Sequence, residues 1–187
     1  MRLTSNRYNE IEKEVIKLFE QITINKFPIN CFEICQQLGI VLMPYSKLSD
    51  KKKELLSIGC KDGFNILWET AKDNFLFIIY YNDNMPARRV RFTIMHEIAH
   101  IVLGHTEHSD LAESEANHFA KYALAPPPII GKLHIDDYIE LSEVFDVSRE
   151  FALYSMQNYI NWLKYGEPEL LEHEITLITL FKPVLSF

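Results

Sequence analysis

The stretch MHEIAHIVLGH, from Met95 to His105, sets three histidines and one glutamate among apolar residues. Within it His96, Glu97 and His100 match the pattern H-E-x-x-H. Histidines four residues apart on a helix project from one face, so both imidazoles can reach a single ion. Glu97 would lie about 100° round the helix from His96, where it can act as a base on water. The motif therefore predicts a zinc site with a catalytic glutamate.

Such a site needs a third ligand, and His105 is a poor candidate for it. The metzincin pattern would require glycine and histidine where this chain has Leu103 and Thr106. If the helix simply continued, His105 would also point about 180° away from His96. We therefore predict that His105 and the nearby His108 are loop histidines.

The segment ESEANHFAKYALAP offers two acidic candidates, Glu113 and Glu115. Both flank a narrow face of small apolar residues at about equal angles, so spacing alone does not choose between them. We favour Glu113, because Asn117 lies one turn beyond it and can hydrogen-bond a ligand histidine. Two histidines and one glutamate leave a fourth position open for water, which is typical of catalytic zinc.

Hydrophobic spacing and turn residues predict the elements that position these side chains. The N-terminal part should form a helix from Asn9 to about Ile24, a helix within FPINCFEICQQLGI, a strand at IVLMPY and a loop or exposed connection at KLSDKKKELL. The middle part should form a hairpin of GFNILWE and FLFIIYY around TAKDN, the motif helix ending at Gly104, and a helix from Asp110 to Leu124 stopped by PPP. Because FLFIIYY is apolar on both faces, we expect that strand inside the sheet.

The C-terminal segment IDDYIELSEVFDVSREFALYSMQNYINW predicts two helices joined by DVS, with Ser148 as an N-cap. Such a pair is compatible with a helix-turn-helix motif, which would indicate DNA binding. Residues 136–164, however, contain six acidic residues and only Arg149 and Lys164 as bases. Because phosphates repel an acidic surface, we expect no direct DNA binding and a helical pair packed on the core.

The composition predicts a folded protein of one domain, or of one domain with a small appendage. The chain has 187 residues, 48% of them hydrophobic, and a formal net charge of −7. We expect a core at 1–130 and a C-terminal helical segment and tail at 131–187. Three cysteines, a charged N-terminus and short apolar runs favour a soluble cytoplasmic protein without membrane contact. The sequence gives no indication of an oligomeric state.

The blocks RRVRFTIMHEIAHIVLGH and ESEANHFAKYALAP, with the order of elements around them, resemble the ImmA/IrrE metallopeptidases of bacteria and their mobile elements. That resemblance implies an α+β fold with a gluzincin-like helical core around the motif helix, a small, mostly antiparallel sheet and C-terminal helices. It also implies that His96, His100 and Glu113 bind Zn²⁺ and that Glu97 is the general base. Asn117 stands where many gluzincins carry aspartate.

The same resemblance implies a substrate, because members of that family act on helix-turn-helix repressors. The expected function is that of a zinc-dependent endopeptidase that cleaves such a repressor and derepresses mobile-element or stress genes. The alternative is a metal-binding regulatory protein that sequesters its repressor partner without proteolysis. Glu97 discriminates between the two, since a protein that only binds has no use for a base beside the metal.

Overall fold

The motif helix lies between a three-stranded sheet and a second helix in the computed structural model, which describes residues 3–70 and 74–185. In those ranges the helices are α1 (Ser5–Gln21), α2 (Cys31–Gln37), α3 (Asp50–Gly59), α4 (Ala87–Val102), α5 (Asp110–Leu124), α6 (Pro127–Lys132), α7 (Tyr138–Val144), α8 (Arg149–Tyr165) and α9 (Glu172–Leu185). The strands are β1 (Val41–Pro44), β2 (Gly63–Thr70) and β3 (Asn74–Tyr81). The α+β prediction is confirmed.

The sheet has the order β1-β3-β2, which puts the most apolar strand in the centre as predicted. β2 and β3 form the predicted antiparallel hairpin, paired from Gly63 with Tyr81 to Thr70 with Asn74. The predicted turn includes residues 71–73, which lie outside the described residues. β1 pairs with β3 in parallel over a shorter length. The sheet is thus mixed, with antiparallel pairing in the majority.

Capping side chains and glycines set the ends of the first helices. α1 begins before the predicted Asn9, because the Thr4 side chain accepts a hydrogen bond from the backbone of the first turn. The Asn30 side chain caps α2 in the same way. Gly39 follows α2 with a φ of 70°, a left-handed conformation that favours glycine at a helix end. These ends direct the chain from α2 into β1.

The prediction of a loop at KLSDKKKELL was wrong, because α3 begins at Asp50 within this segment. Lysine, glutamate and leucine have high helix propensities, and this segment carries no proline or glycine before Gly59. The expected exposure was right, since most of the helix is exposed or half-buried. Its polarity therefore indicated a solvated helix and not the absence of one.

α7 and α8 form the predicted C-terminal pair, and the Ser148 side chain caps α8 by accepting from the Phe151 amide. The turn between them is bound to α4. Arg88 Nε lies 2.9 Å from Asp146 Oδ1, and Arg91 Nη1 lies 2.9 Å from Asp146 Oδ2. These two ion pairs hold the start of α8 beside the motif helix.

The hydrophobic core joins the N-terminal and C-terminal helices around α4 and α5. Phe19 of α1 meets Phe181 of α9 with ring centroids 5.9 Å apart, and both are fully buried. Cys31 and Cys35 are buried, and no disulfide forms among the described residues. Over the same residues, no helix combines the length and apolarity needed to cross a membrane. The division at residue 130 stays a prediction.

Candidate metal and catalytic site

The end of α4 explains how the histidines after it return to the site. The helix stops at Val102, and Gly104 adopts a φ of 68°, which reverses the chain. The amide of His105 then donates to the carbonyl of His100 over 3.0 Å. Because the helix does not continue, His105 turns back beside His100. The predicted helix end at Gly104 is confirmed, and the 180° separation calculated for a continuous helix does not apply.

His96, His100 and Glu113 come together in one cluster between α4 and α5. The two Nε2 atoms lie 3.1 Å apart. Glu113 Oε2 lies 3.3 Å from His96 Nε2, and Oε1 lies 3.4 Å from His100 Nε2. Close packing of α4 and α5 makes these distances possible, since Ala99 and Ala116 on the facing sides are fully buried.

The spacing of these donor atoms suits a small tetrahedral cation. Tetrahedral ligands bound at about 2.0–2.1 Å lie about 3.3 Å from one another, close to the three distances in the cluster. Two imidazoles with one carboxylate are also a donor set that zinc accepts and that leaves a coordination position open. The residues present therefore fit a catalytic metal ion.

The histidines are held in the neutral form that a metal ligand requires. Burial lowers the pKa of His96, although the Glu113 carboxylate acts in the opposite direction. Burial and then the neighbouring His96 lower the pKa of His100 to about 4. At neutral pH each ring therefore keeps a nitrogen lone pair available for binding.

Glu97, the predicted base, is buried beside this cluster. Its Oε2 accepts a hydrogen bond from Asn65 Nδ2 over 2.7 Å, which connects α4 to strand β2. Burial raises the pKa of Glu97 more than the Asn65 hydrogen bond lowers it, and the charge of Glu113 raises it further. A carboxyl with a raised pKa is suited to take up and release a proton near neutral pH. Asn65 was not predicted as a site residue. The one signal for it in the sequence is that a polar residue stands inside an apolar strand.

Glu115, the alternative ligand, does not join the cluster. It is 5% exposed and forms a two-point ion pair with Arg7 of α1, with distances of 2.7 and 2.8 Å. Its Oε2 also lies 2.9 Å from His105 Nε2. The structure thus brings Glu113, and not Glu115, to the two histidines. His105 stands behind the cluster and His108, which is largely exposed, lies in the loop as predicted.

Asn117 lies on the side of α5 that faces the cleft, one turn beyond Glu113 as expected. Among the described residues, His96 Nδ1 is buried without a hydrogen-bond partner, so the bond expected from Asn117 to a ligand histidine is not formed at that nitrogen. His118 and Tyr122 are further polar side chains on α5, beyond Asn117. Neither lines the cleft: His118 binds Glu12 at 3.0 Å, and Tyr122 is buried.

An open cleft of about 1630 Å³ contains the cluster and Glu97. One wall is strand β2 from residues 63 to 67, and the opposite wall is the start of α8 with Phe151 and Tyr154. Phe92 and Phe77 add apolar surface beside the charged centre. The cleft is large enough for several residues of an extended peptide. Its volume exceeds that of typical pockets for small molecules, which is about 300–1,000 Å³.

Comparison with known proteins identifies one family. The model of the peptidase M78 family, described as the IrrE N-terminal-like domain, matches residues 35–157. The match includes the sheet, α4, α5 and about half of α8, so the chain belongs to this family and has its gluzincin-like fold. The resemblance found in the sequence is thereby confirmed. No curated protein matches the chain significantly.

Proposed function

We propose that this member of the IrrE N-terminal-like peptidase family is a zinc-dependent endopeptidase. The single observation that carries the proposal is the juxtaposition of a tetrahedrally spaced His96, His100 and Glu113 cluster with a buried Glu97 in an open cleft. The cluster provides ligands for the metal and Glu97 provides the base. A protein that only bound metal would have no use for a base beside the metal.

Zinc is the cation proposed, because nitrogen-rich sites of three protein ligands with an open position are typical of catalytic zinc. When bound, the ion supplies Lewis acidity, which polarises a carbonyl and lowers the pKa of water. Glu97 takes a proton from the attacking water and later delivers it to the leaving amine nitrogen. Asn65 holds Glu97 in place for both transfers.

The substrate is proposed to be an extended peptide segment that adds to β2. This strand pairs with β3 on one side, and among the described residues no strand pairs with its other edge. A free edge offers backbone donors and acceptors to an added strand. Asn65 belongs to β2, so a peptide bound along this edge passes beside Glu97.

A helix-turn-helix transcriptional repressor is the protein we propose as the source of that segment. The proposal rests on the resemblance to ImmA/IrrE peptidases, and the volume of the cleft supports a protein substrate. Cleavage would derepress mobile-element or stress genes. We further propose that the enzyme acts in the cytoplasm, where such a repressor binds DNA.

The test is incubation of the purified protein with the repressor encoded next to its gene, followed by mass spectrometry of the products. We expect one or a few internal cuts in the presence of Zn²⁺ and none after removal of metal by a chelator. Restoration of the same cuts by added Zn²⁺ would exclude a contaminating protease that does not depend on zinc. An intact repressor in every condition would contradict the proposed substrate.

A further inference from the structure

A continuous series of contacts leads from the N-terminal helix to a residue of the cluster. Arg7 holds both oxygens of Glu115, with Nε and Nη2 at 2.7 and 2.8 Å. Glu115 Oε2 lies 2.9 Å from His105 Nε2, and His105 Nδ1 lies 2.9 Å from His100 Nδ1. The opposite nitrogen of His100, Nε2, faces the cluster. We call Arg7, Glu115 and His105 the relay.

With His105 neutral, these contacts allow one consistent arrangement of protons. An ionised carboxylate only accepts, so His105 Nε2 must carry the hydrogen that it donates to Glu115. In a neutral ring the other nitrogen of His105, Nδ1, is then an acceptor and takes a hydrogen from His100 Nδ1. The hydrogen of His100 thus resides on Nδ1, and its Nε2 lone pair points into the cluster.

We propose that the relay residues are positioning residues that fix His100 in the tautomer able to bind metal through Nε2. This inference rests on the proposed function, since it takes the cluster to be a metal site. Partners of the second ring nitrogen are known to orient metal-bound histidines and to raise ligand affinity. Here the partner is a histidine whose own orientation depends on the half-buried ion pair of Glu115 with Arg7.

The ion pair gives the relay its rigidity. Glu115 is almost fully buried, and a buried carboxylate is stable only when it is paired and hydrogen-bonded. The two parallel bonds from Arg7 fix both its position and its orientation. Arg7 lies outside the residues matched by the family model, so α1 contributes to the site a residue beyond the matched domain.

The first test measures Zn²⁺ affinity by competition with a chromophoric chelator. We expect Arg7→Met and His105→Phe each to weaken zinc binding about 10–100-fold, as loss of outer-shell partners does elsewhere. Glu10→Gln is the matched control, because Glu10 is the other partner of Arg7 and is exposed on α1. Its affinity should equal that of the wild type. Equal affinities in all four proteins would overturn the relay.

The second test separates positioning from mere stability. Nitrogen-15 spectra of the imidazoles in metal-free wild-type protein should show hydrogen on His100 Nδ1 and on His105 Nε2. In Arg7→Met that preference should decrease even if the melting temperature is unchanged. Hydrogen on His100 Nε2 in the wild type would overturn the proposal. If the wild type bound no zinc, the proposed function would fail, while the spectrum would still decide the tautomer.

Discussion

Asn65 Nδ2 lies 2.7 Å from Glu97 Oε2, so a residue of the edge strand holds the carboxyl that the motif helix presents to the cleft. The same strand has a free edge at which we place the substrate. One asparagine therefore connects peptide binding with the base. This contact gives the first prediction.

Replacing Asn65 by alanine should slow hydrolysis about 10–100-fold without loss of zinc, since hydrogen bonds to charged groups contribute about 1.5–3 kcal/mol. The hydrogen bond lowers the pKa of Glu97, so its removal should raise that pKa further. The acidic limb of the kcat/KM profile should then move to higher pH. Asn74→Ala, at an exposed position on the same hairpin, serves as the control. Superimposable pH profiles for Asn65→Ala and wild type would contradict this role.

The ligand assignment predicts a graded loss of metal. Elemental analysis should find about one zinc per chain in the wild type and almost none in His100→Ala, because the cluster loses a donor. Glu113→Gln should weaken zinc binding more than any relay variant does, since it replaces a charged ligand. Glu107→Gln, an exposed change in the preceding loop, should keep full zinc. Full zinc in Glu113→Gln would remove Glu113 from the ligand set.

Local patterns predicted the parts of the site that a single helix positions. The four-residue spacing put His96 and His100 on one face, and Gly104 marked the end of α4. The relay could not be found in this way, because Arg7 and Glu115 are 108 residues apart and meet only through the packing of α1 on α5. Asn65 was missed for the same reason.

In the fold, too, local patterns predicted single elements, whereas contacts between distant parts of the chain were not predicted. The bounds of α5 were predicted to the residue, since Ser109 caps its start and prolines follow its end. The parallel pairing of β1 with β3 was not predicted, because it joins strands separated by α3 and β2. Polar composition concealed α3, whose lysine, glutamate and leucine residues have high helix propensities.

The largely buried carboxylate of Glu12 predicts a pH-dependent stability. His118 Nε2 and His173 Nε2 lie 3.0 and 3.2 Å from its two oxygens, joining α1, α5 and α9. Burial raises the pKa of Glu12, but these hydrogen bonds outweigh it and the net pKa is lowered. Because the folded pKa lies below the unfolded one, this stabilisation is complete above about pH 4.3 and is lost as the pH falls through the folded pKa.

Glu12→Gln should therefore reduce the free energy of unfolding by about 1–3 kcal/mol at pH 7, with the difference from wild type shrinking below about pH 4. Urea denaturation over a pH series measures the difference in the free energy of unfolding and its dependence on pH. Glu14→Gln is the control, since the exposed pair of Glu14 with Lys17 contributes about 0–1 kcal/mol. A difference that is independent of pH would show that Glu12 stabilises the fold without its charge.

The acidic α7–α8 pair predicts that the protein does not bind duplex DNA specifically at physiological salt. Asp146 of this pair is neutralised by Arg88 and Arg91, but Arg149 and Lys164 are still the only bases in residues 136–164. A gel shift with operator DNA, with and without the repressor, measures this. Tight, sequence-dependent binding by the protein alone would restore the helix-turn-helix interpretation.

The central claim is that the protein acts by proteolysis, and Glu97→Gln tests it most directly. The change keeps the size of the side chain and an oxygen that can accept from Asn65, but it removes the base. Zinc should stay bound, the repressor should still associate, and cleavage should fall about 10²–10⁴-fold, the usual contribution of a general base. The decisive measurement is the rate of repressor cleavage beside expression of the repressed genes. We predict that both cleavage and derepression are lost in Glu97→Gln, whereas full derepression by this variant would contradict proteolysis and favour sequestration.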